Sequence, residues 1–289
     1  MTTGRLILLT TLAMLAFAAN SVLARLAFAT AHAEPLSYTG IRLASGAVVL
    51  ALLLFARQRK PIRVAGSWPA AAALFGYALA FSIAYLMLGA GTGALILFAS
   101  VQLGILGWAV YRGDRPGPLE WLGLALAFGG FAWLVAPNLF ALGLVAPDPL
   151  GAVLMVGSGL CWAAYTLMGR GSTSPLADTA GNFIRASVTA PILVVAGSLL
   201  HQQVTPMAAS YAVASGAIAS GLGYAIWYAA LPALTRTRAA IVQLTVPALA
   251  ALGGITFIGE PLTARLIAAT LAIIGGIALA VLTAARRRR

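Results

Sequence analysis

Acidic residues are nearly missing from this chain. There are six among 289 residues, against 18 Lys and Arg, and charges of both signs together reach only 8%. Soluble domains carry roughly 25% charge, so the two water-soluble domains that the length would allow have no surface to be built from. With 61% hydrophobic residues, the solvent must be lipid. Cysteine is equally scarce: Cys161 is the single one. It lies inside an apolar segment, which excludes a disulfide framework and a cysteine metal site. His32 and His201 fall in expected external loops and have no neighbour at ligand spacing. Hydrolysis within a membrane needs a nucleophile with a base, paired aspartates or a metal. No His or Asp stands at membrane depth, so no catalytic residue, metal or cofactor is expected, and an intramembrane enzyme is a remote alternative. A channel would want a polar lining or a charged ring, and neither is present.

The net charge of +12 invites a nucleic-acid reading, but its placement argues otherwise. With a cytoplasmic N-terminus, fourteen of the eighteen basic residues fall on the cytoplasmic side: Arg5, Arg57, Arg59, Lys60, Arg63, Arg112, Arg115, Arg170, Arg236, Arg238 and Arg286 to Arg289. This is the positive-inside asymmetry. It accounts for the charge with the bilayer as partner and without nucleic acid.

A helix needs about 20 apolar residues to cross the hydrocarbon. On that measure the spans are Leu6–Ala24, Leu36–Ala56, two within Val64–Tyr111 divided at Gly89–Gly93, and Leu119–Ala136. The second set is Leu150–Gly169, two between Ala177 and Thr235 divided at His201–Pro206, then Ala239–Ile258 and Leu266–Ala285. Arg5 followed by Leu6–Phe17 imitates a signal peptide. However, the apolar run continues to Leu23 and has an internal counterpart later in the chain, so it is expected to be a retained helix. Ten spans place both termini on one side, the cytoplasm, for a multi-pass protein of the cell (inner) membrane.

Those spans form two copies of one unit. Leu15, Phe17, Ala18 and Arg25 answer Leu160, Trp162, Ala163 and Arg170. Ile41-Arg42 answers Ile184-Arg185, and Phe81 and Tyr85 answer Tyr224 and Tyr228. Leu103–Gly130 answers Leu249–Gly276 without a gap, pairing Gly113-Asp114 with Gly259-Glu260 and Gly129-Gly130 with Gly275-Gly276. The expected organisation is a first repeat over 1–136, an external connecting loop over 137–149, and a second repeat over 150–289 ending in a basic cytoplasmic tail. Because five is odd, the second repeat enters the membrane upside down. Inverted repeats are a recurrent architecture of secondary transporters, with the substrate site between the halves near mid-membrane.

This all-α layout resembles the drug/metabolite transporter superfamily, specifically its EamA-type ten-helix exporters. The resemblance rests on Arg42 and Arg185 early in the second helix of each half, on Asp114 and Glu260 after the fourth, and on the Gly pairs of the closing helices. It covers nearly the whole chain. The aromatic-rich helices are similar to YddG-type aromatic amino acid exporters. The resemblance implies an exporter of small metabolites, such as aromatic or other hydrophobic amino acids, working by alternating access. Sugar phosphates and cationic drugs are the rival substrates; the first would favour a mid-membrane lysine and the second a buried glutamate, and the sequence offers neither. A monomer is expected, with a dimer as the alternative.

Intramembrane polar groups are functional hypotheses by default. Asn20 lies one turn after Phe17, and Tyr165, its repeat partner, one turn after Trp162. Each helix thus presents an aromatic and a hydrogen-bonding group, for a cavity or as glue between helices. Tyr77, Phe81 and Tyr85 share one face of the third span, and Tyr224 and Tyr228 lie on the eighth. Tyr77, Phe81 and Tyr224 are expected at the cavity, whereas Tyr85 and Tyr228 sit where an interfacial belt would. Gln102 and Gln243 are expected as buried amides able to bond a substrate carboxylate or amine, with packing as the alternative, and Phe98, one turn before Gln102, joins the cavity set. Pro247 should bend the ninth span. Arg42 and Arg185 are expected to orient their helices or snorkel, with pairing to a substrate carboxylate as the alternative. Arg25 and Arg170 are expected at helix C-termini, and Asp114 and Glu260 as caps of the helices that follow them. No acid lies mid-membrane, which points to facilitated, gradient-driven export.

Overall fold

The computed structural model describes residues 2–58, 65–113, 115–135, 147–200, 204–234 and 236–287. Residues 137–146 of the connecting loop therefore lie outside the described residues, as do Arg59, Lys60, Arg63, Asp114, His201 and the last two arginines.

Ten helical spans make up the described chain. The first five are α1 (Thr3–Ala29), α2 (Pro35–Gln58), α3 (Trp68–Ala84), α4 (Ala90–Tyr111) and α5 (Pro118–Val135). The sixth is α6 (Pro149–Met168). The seventh is divided into α7 (Pro175–Ser187) and α8 (Ala190–Leu199). The eighth joins α9 (Pro206–Val213) to α10 (Gly223–Ala230) through a π-helical stretch, Ala214–Leu222. The ninth is divided into α11 (Arg236–Gln243) and α12 (Val246–Ile258), and the tenth is α13 (Ala264–Arg287).

Local chemistry sets the ends. Ser67, Asp148 and Thr205 each accept a hydrogen bond from a backbone N–H in the first turn of the helix that follows, and each precedes a proline in that turn. A proline there lacks only a donor that would have no intrahelical partner. The Glu34 carboxylate accepts from the N–H groups of Leu36 (2.8 Å) and Ser37 (2.7 Å) at the start of α2. Gly259, with φ 75°, ends α12 in the left-handed region that glycine adopts without strain.

The third and fourth spans divide earlier than the glycine run implies. Helix α3 ends at Ala84, and Gly91 and Gly93 already belong to α4. The seventh span breaks just ahead of Pro191, and the ninth just ahead of Pro247, where the missing donor frees a preceding carbonyl.

The two halves exchange partners. Helix α1 packs against the eighth span and α12, while α6 packs against α3 and α4; α5 and α13 pack on each other. The first helix of each half therefore lies on the third and fourth of the other, as a pseudo-two-fold relation requires. Small residues bring these backbones together. At Gly159 of α6 an added Cβ would stand 2.5 Å from the Ser100 Cβ and 2.7 Å from the Leu97 carbonyl of α4. Large apolar side chains such as Ile192, Phe257 and Leu271 are exposed on the outer surface, where hydrocarbon replaces water as their surroundings.

Candidate functional site

Between the halves lies a cavity of ≈ 1430 Å³. All ten residues singled out for a central cavity line it: Phe17, Asn20, Tyr77, Phe81, Phe98, Gln102, Trp162, Tyr165, Tyr224 and Gln243. Its mouth is framed by Ser67, Pro116, Gly171, Arg170, Arg238 and Arg286. These belong to the connections after the second, fourth and sixth spans, to the first turn of α11 and to the C-terminal end. No residue of the opposite set of connections contributes to the described lining. The cavity is open at one membrane face and blind towards the other.

The blind end is aromatic. Trp162 stacks on Tyr165 at a centroid distance of 5.2 Å and on Tyr224 at 5.4 Å, and meets Tyr77 at 4.7 Å. Phe17 lies 5.5 Å from Tyr224, and Tyr77 lies 5.5 Å from Phe81. Residues from the first helix of each half thus touch the aromatic stripe of the other half's third helix, which is the repeat relation seen as contact. Rings at these separations attract by about 0.5–1.5 kcal/mol beyond their burial, so a flat solute can replace one neighbour of a stack with little loss.

Polar groups interrupt the ring wall. The Asn20 Oδ1 accepts from the hydroxyls of Ser215 (2.8 Å) and Ser220 (3.3 Å) on the π-helical stretch. Asn20 therefore joins two helices as well as lining the cavity. The Tyr165 hydroxyl donates to Thr179 (3.2 Å), which donates in turn to Tyr228 (3.2 Å). Gln102 is buried, whereas Gln243 is only half-buried because α11 ends there at the mouth side of the break.

Several expectations are corrected by packing. Tyr85 is fully buried, with its ring 4.6 Å from that of Phe81 and its hydroxyl donating to the Ala90 carbonyl at 3.4 Å; it is no belt residue. Tyr228 lines the cavity. Glu260 does not cap the helix after it. Its carboxylate accepts from the Ala90 N–H at the start of α4 (2.7 Å) and from Arg25 Nε (3.0 Å), while Arg25 Nη1 donates to the Tyr85 carbonyl (3.0 Å). Arg25 thus lies within α1, not at its end, and with Glu260 ties three helix ends together at the blind side. Asp114, its counterpart, lies outside the described residues. Thr179, Asn182 and Trp227 also line the cavity. Asn182 stands three residues after Thr179 and four after Asp178, and this one-turn polar spacing was the available signal for the first two.

Arg42 does not snorkel. It is 2% exposed, and Nη2 donates to the Tyr77 hydroxyl at 2.9 Å. Its guanidinium carbon lies 5.2 Å and 4.6 Å from the centres of the Tyr77 and Phe81 rings. Cation–π contacts of about 0.5–2 kcal/mol each offset only part of the several kcal/mol that desolvating the ion costs. Arg185 behaves differently. Its Nη1 donates to the carbonyls of Ala65 and Gly181, which fastens the second–third connection to α7. Among the described residues no cluster of His, Cys, Asp and Glu could hold a metal.

Comparison with known proteins adds the following. The model of the EamA-like transporter family matches residues 4–136 and again residues 149–282. An uncharacterised protein of Pseudomonas aeruginosa is 52% identical over 95% of this chain and 94% of its own length. The threonine/homoserine exporter RhtA of Salmonella typhimurium is 32% identical over 82% of this chain and 78% of its own. The uncharacterised transporter YwfM of Bacillus subtilis is 27% identical over 82% of this chain and 81% of its own. A solved crystal structure with 22% identity superposes with a TM-score of 0.65, covering 99% of this chain and all of that one, and so shares the fold.

Proposed function

Because the chain belongs to the EamA-like transporter family, and is therefore a multi-pass membrane transporter of small molecules and not an enzyme, we propose that it exports amino acids with an aromatic or other hydrophobic side chain by alternating access. The observation that carries this reading is the blind aromatic pocket. Trp162, Tyr224, Tyr77 and Phe17 meet at its end with only a few polar groups between them, the lining that suits a flat, partly apolar solute. Asn20, Tyr165 and Gln102 are the groups that bind its polar end, and the remaining lining residues named above wall its path.

Orientation follows from charge. The open mouth carries Arg170, Arg238 and Arg286, and lysine and arginine concentrate on the cytoplasmic side of membrane proteins. Both termini are then cytoplasmic, residues 137–149 connect the repeats externally, and the conformation described is inward-open. Rocking of one repeat against the other carries the solute outward. Two carboxylates, Glu120 and Asp178, line the cavity; Asp178 is engaged by the Gly66 N–H and the Ser172 hydroxyl at the mouth, so the proposed cycle runs down a solute gradient without a coupled ion. A second reading has one observation in its favour. The relative RhtA is named for threonine and homoserine export, so a smaller, hydroxylated amino acid is the alternative substrate.

Reconstitution into proteoliposomes separates these readings. Labelled phenylalanine, leucine, threonine and homoserine are tested for uptake, with and without a pH gradient. Faster uptake of phenylalanine and leucine that is insensitive to the gradient is expected. Preference for threonine and homoserine would transfer the assignment to the second reading, and failure to move any of the four would end the amino acid reading.

A further inference from the structure

Arg42 stands about 10 Å in from the closed mouth, seven residues after Pro35 at 1.5 Å per residue. Its Nη1 has no hydrogen-bond partner among the described residues. One turn earlier on the same face of α2 is Tyr38, also 2% exposed, whose hydroxyl makes no hydrogen bond of good geometry among them and has only the Ser215 hydroxyl as a looser neighbour. No ion pair joins Arg42 to a carboxylate among the described residues. A buried guanidinium normally has a carboxylate or a set of carbonyls around it. Here the neighbours are the Phe81 ring and the phenols of Tyr77, Tyr38 and Tyr224.

The repeat supplies an internal control. Arg185 occupies the matching place in the second half and is held by backbone carbonyls, with its guanidinium carbon 5.8 Å from the Trp68 ring centre. If an arginine here served only to orient its helix, both copies would be satisfied in that way. The two copies have different surroundings, and the one left with an unanswered donor is the one beside the aromatic pocket. Tyr77 and Phe81, which cover Arg42, both line the cavity. One side-chain layer separates the charge from the solute space.

We propose that Arg42, with the Tyr38 hydroxyl beside it, receives the carboxylate of the transported solute when the Tyr77 side chain turns aside. This rests on the amino acid reading and deepens it by assigning the end of the substrate that is recognised by charge. The guanidinium fork takes both oxygens of a carboxylate: Nη2 exchanges the Tyr77 phenol for one oxygen, and Nη1 gains its missing acceptor in the other. Charge count selects the group. A single cation at the end of the pocket answers one negative charge, whereas a phosphate dianion would retain a second one with no base beside it. With its carboxylate at α2, the solute's side chain lies among Trp162, Tyr224 and Phe17.

The test measures binding, so it does not depend on turnover. The purified full chain in detergent is titrated calorimetrically with L-phenylalanine and L-threonine, and with the carboxamide of each, which keeps the shape and removes the charge. Wild type is expected to prefer the acids by about 10- to 100-fold, the range a charge-assisted pair gives, and Arg42→Gln to level acid and carboxamide. Arg42→Lys should retain part of the preference. An acid preference that survives intact in Arg42→Gln overturns the proposal while the exporter reading stands. If Arg42→Gln does not fold, Tyr38→Phe decides: a reduced acid preference supports the proposal and an unchanged one overturns it. Glucose 6-phosphate serves as competitor, and its displacing the amino acid would overturn the carboxylate assignment. Failure of both amino acids to bind wild type would remove the amino acid reading itself.

Discussion

At the scale of single residues, Trp162 and Asn20 separate binding from stability. Trp162 is half-buried, and its contacts to Tyr77, Tyr165 and Tyr224 are ring contacts around the cavity. Trp162→Ala is expected to slow phenylalanine transport by about tenfold, the loss of one or two stacking contacts, with a small change in melting temperature. Transport at the wild-type rate would remove the aromatic pocket as the binding site. Asn20→Ala carries an extra cost. It leaves the hydroxyls of Ser215 and Ser220 without their shared acceptor, so about 1–3 kcal/mol of stability should go along with transport, visible as a lower midpoint in thermal denaturation. These positions were legible in the sequence because an aromatic and a polar group one turn apart in a lipid-facing chain stand out, and the repeat marks them twice. Glu260 was not. Its partners, Arg25 and the Ala90 N–H, lie 235 and 170 residues away, and only the folded chain brings them together. Tyr85 was misplaced for the same reason: proximity to a helix end implies a belt until Arg25 and Glu260 are seen to cover it.

At the scale of helices, the spans were legible because hydrocarbon imposes a minimum apolar length, and because Ser, Asp and Thr followed by proline mark their starts. Their interiors were less so. The π-helical stretch Ala214–Leu222 contains only small and aliphatic residues, common in any membrane helix, and its widened turn follows from packing against α1 and α2. There Gly216 lies so close to the Arg42 carbonyl and the Ser45 hydroxyl that no Cβ fits. Glycines likewise looked equivalent until packed. Of the paired glycines in the closing helices, Gly130 and Gly276 meet the opposite helix, while Gly129 and Gly275 face open space. Helix α6 offers a matched experiment. Gly159→Ala forces a Cβ against Ser100 and the Leu97 carbonyl and should cost about 1–3 kcal/mol. Gly157→Ala, with nothing within 4 Å, should be neutral or stabilise by up to ~1 kcal/mol through helix propensity. Equal melting temperatures for the two variants would mean that α4 and α6 are not packed through their small residues.

At the scale of the molecule, one sequence must support two conformations, so the sequence shows the symmetry but cannot say which mouth is closed. The structure does: Arg25 and Glu260 join α1 to the ends of α3, α4 and α12 on the blind side. The pair is partly shielded, with side chains 20% and 16% exposed, and replacing Glu260 by the isosteric glutamine would leave Arg25 there without a counter-charge. Glu260→Gln is therefore expected to shift the population towards the state open on that side, since a conformational equilibrium moves by the difference in interaction energy between its two states. Ser21 reports the shift, because it lines the cavity and is 1% exposed in this conformation. With Cys161 replaced by serine, a cysteine introduced by Ser21→Cys should react with a membrane-impermeant maleimide added outside the cell several-fold faster when Glu260→Gln is also present. If labelling is equally slow in both backgrounds, the ion pair is not what holds the external mouth shut. If rapid labelling instead requires reagent on the cytoplasmic side of a Glu260→Gln protein, the blind end faces the cytoplasm and the proposed orientation is reversed.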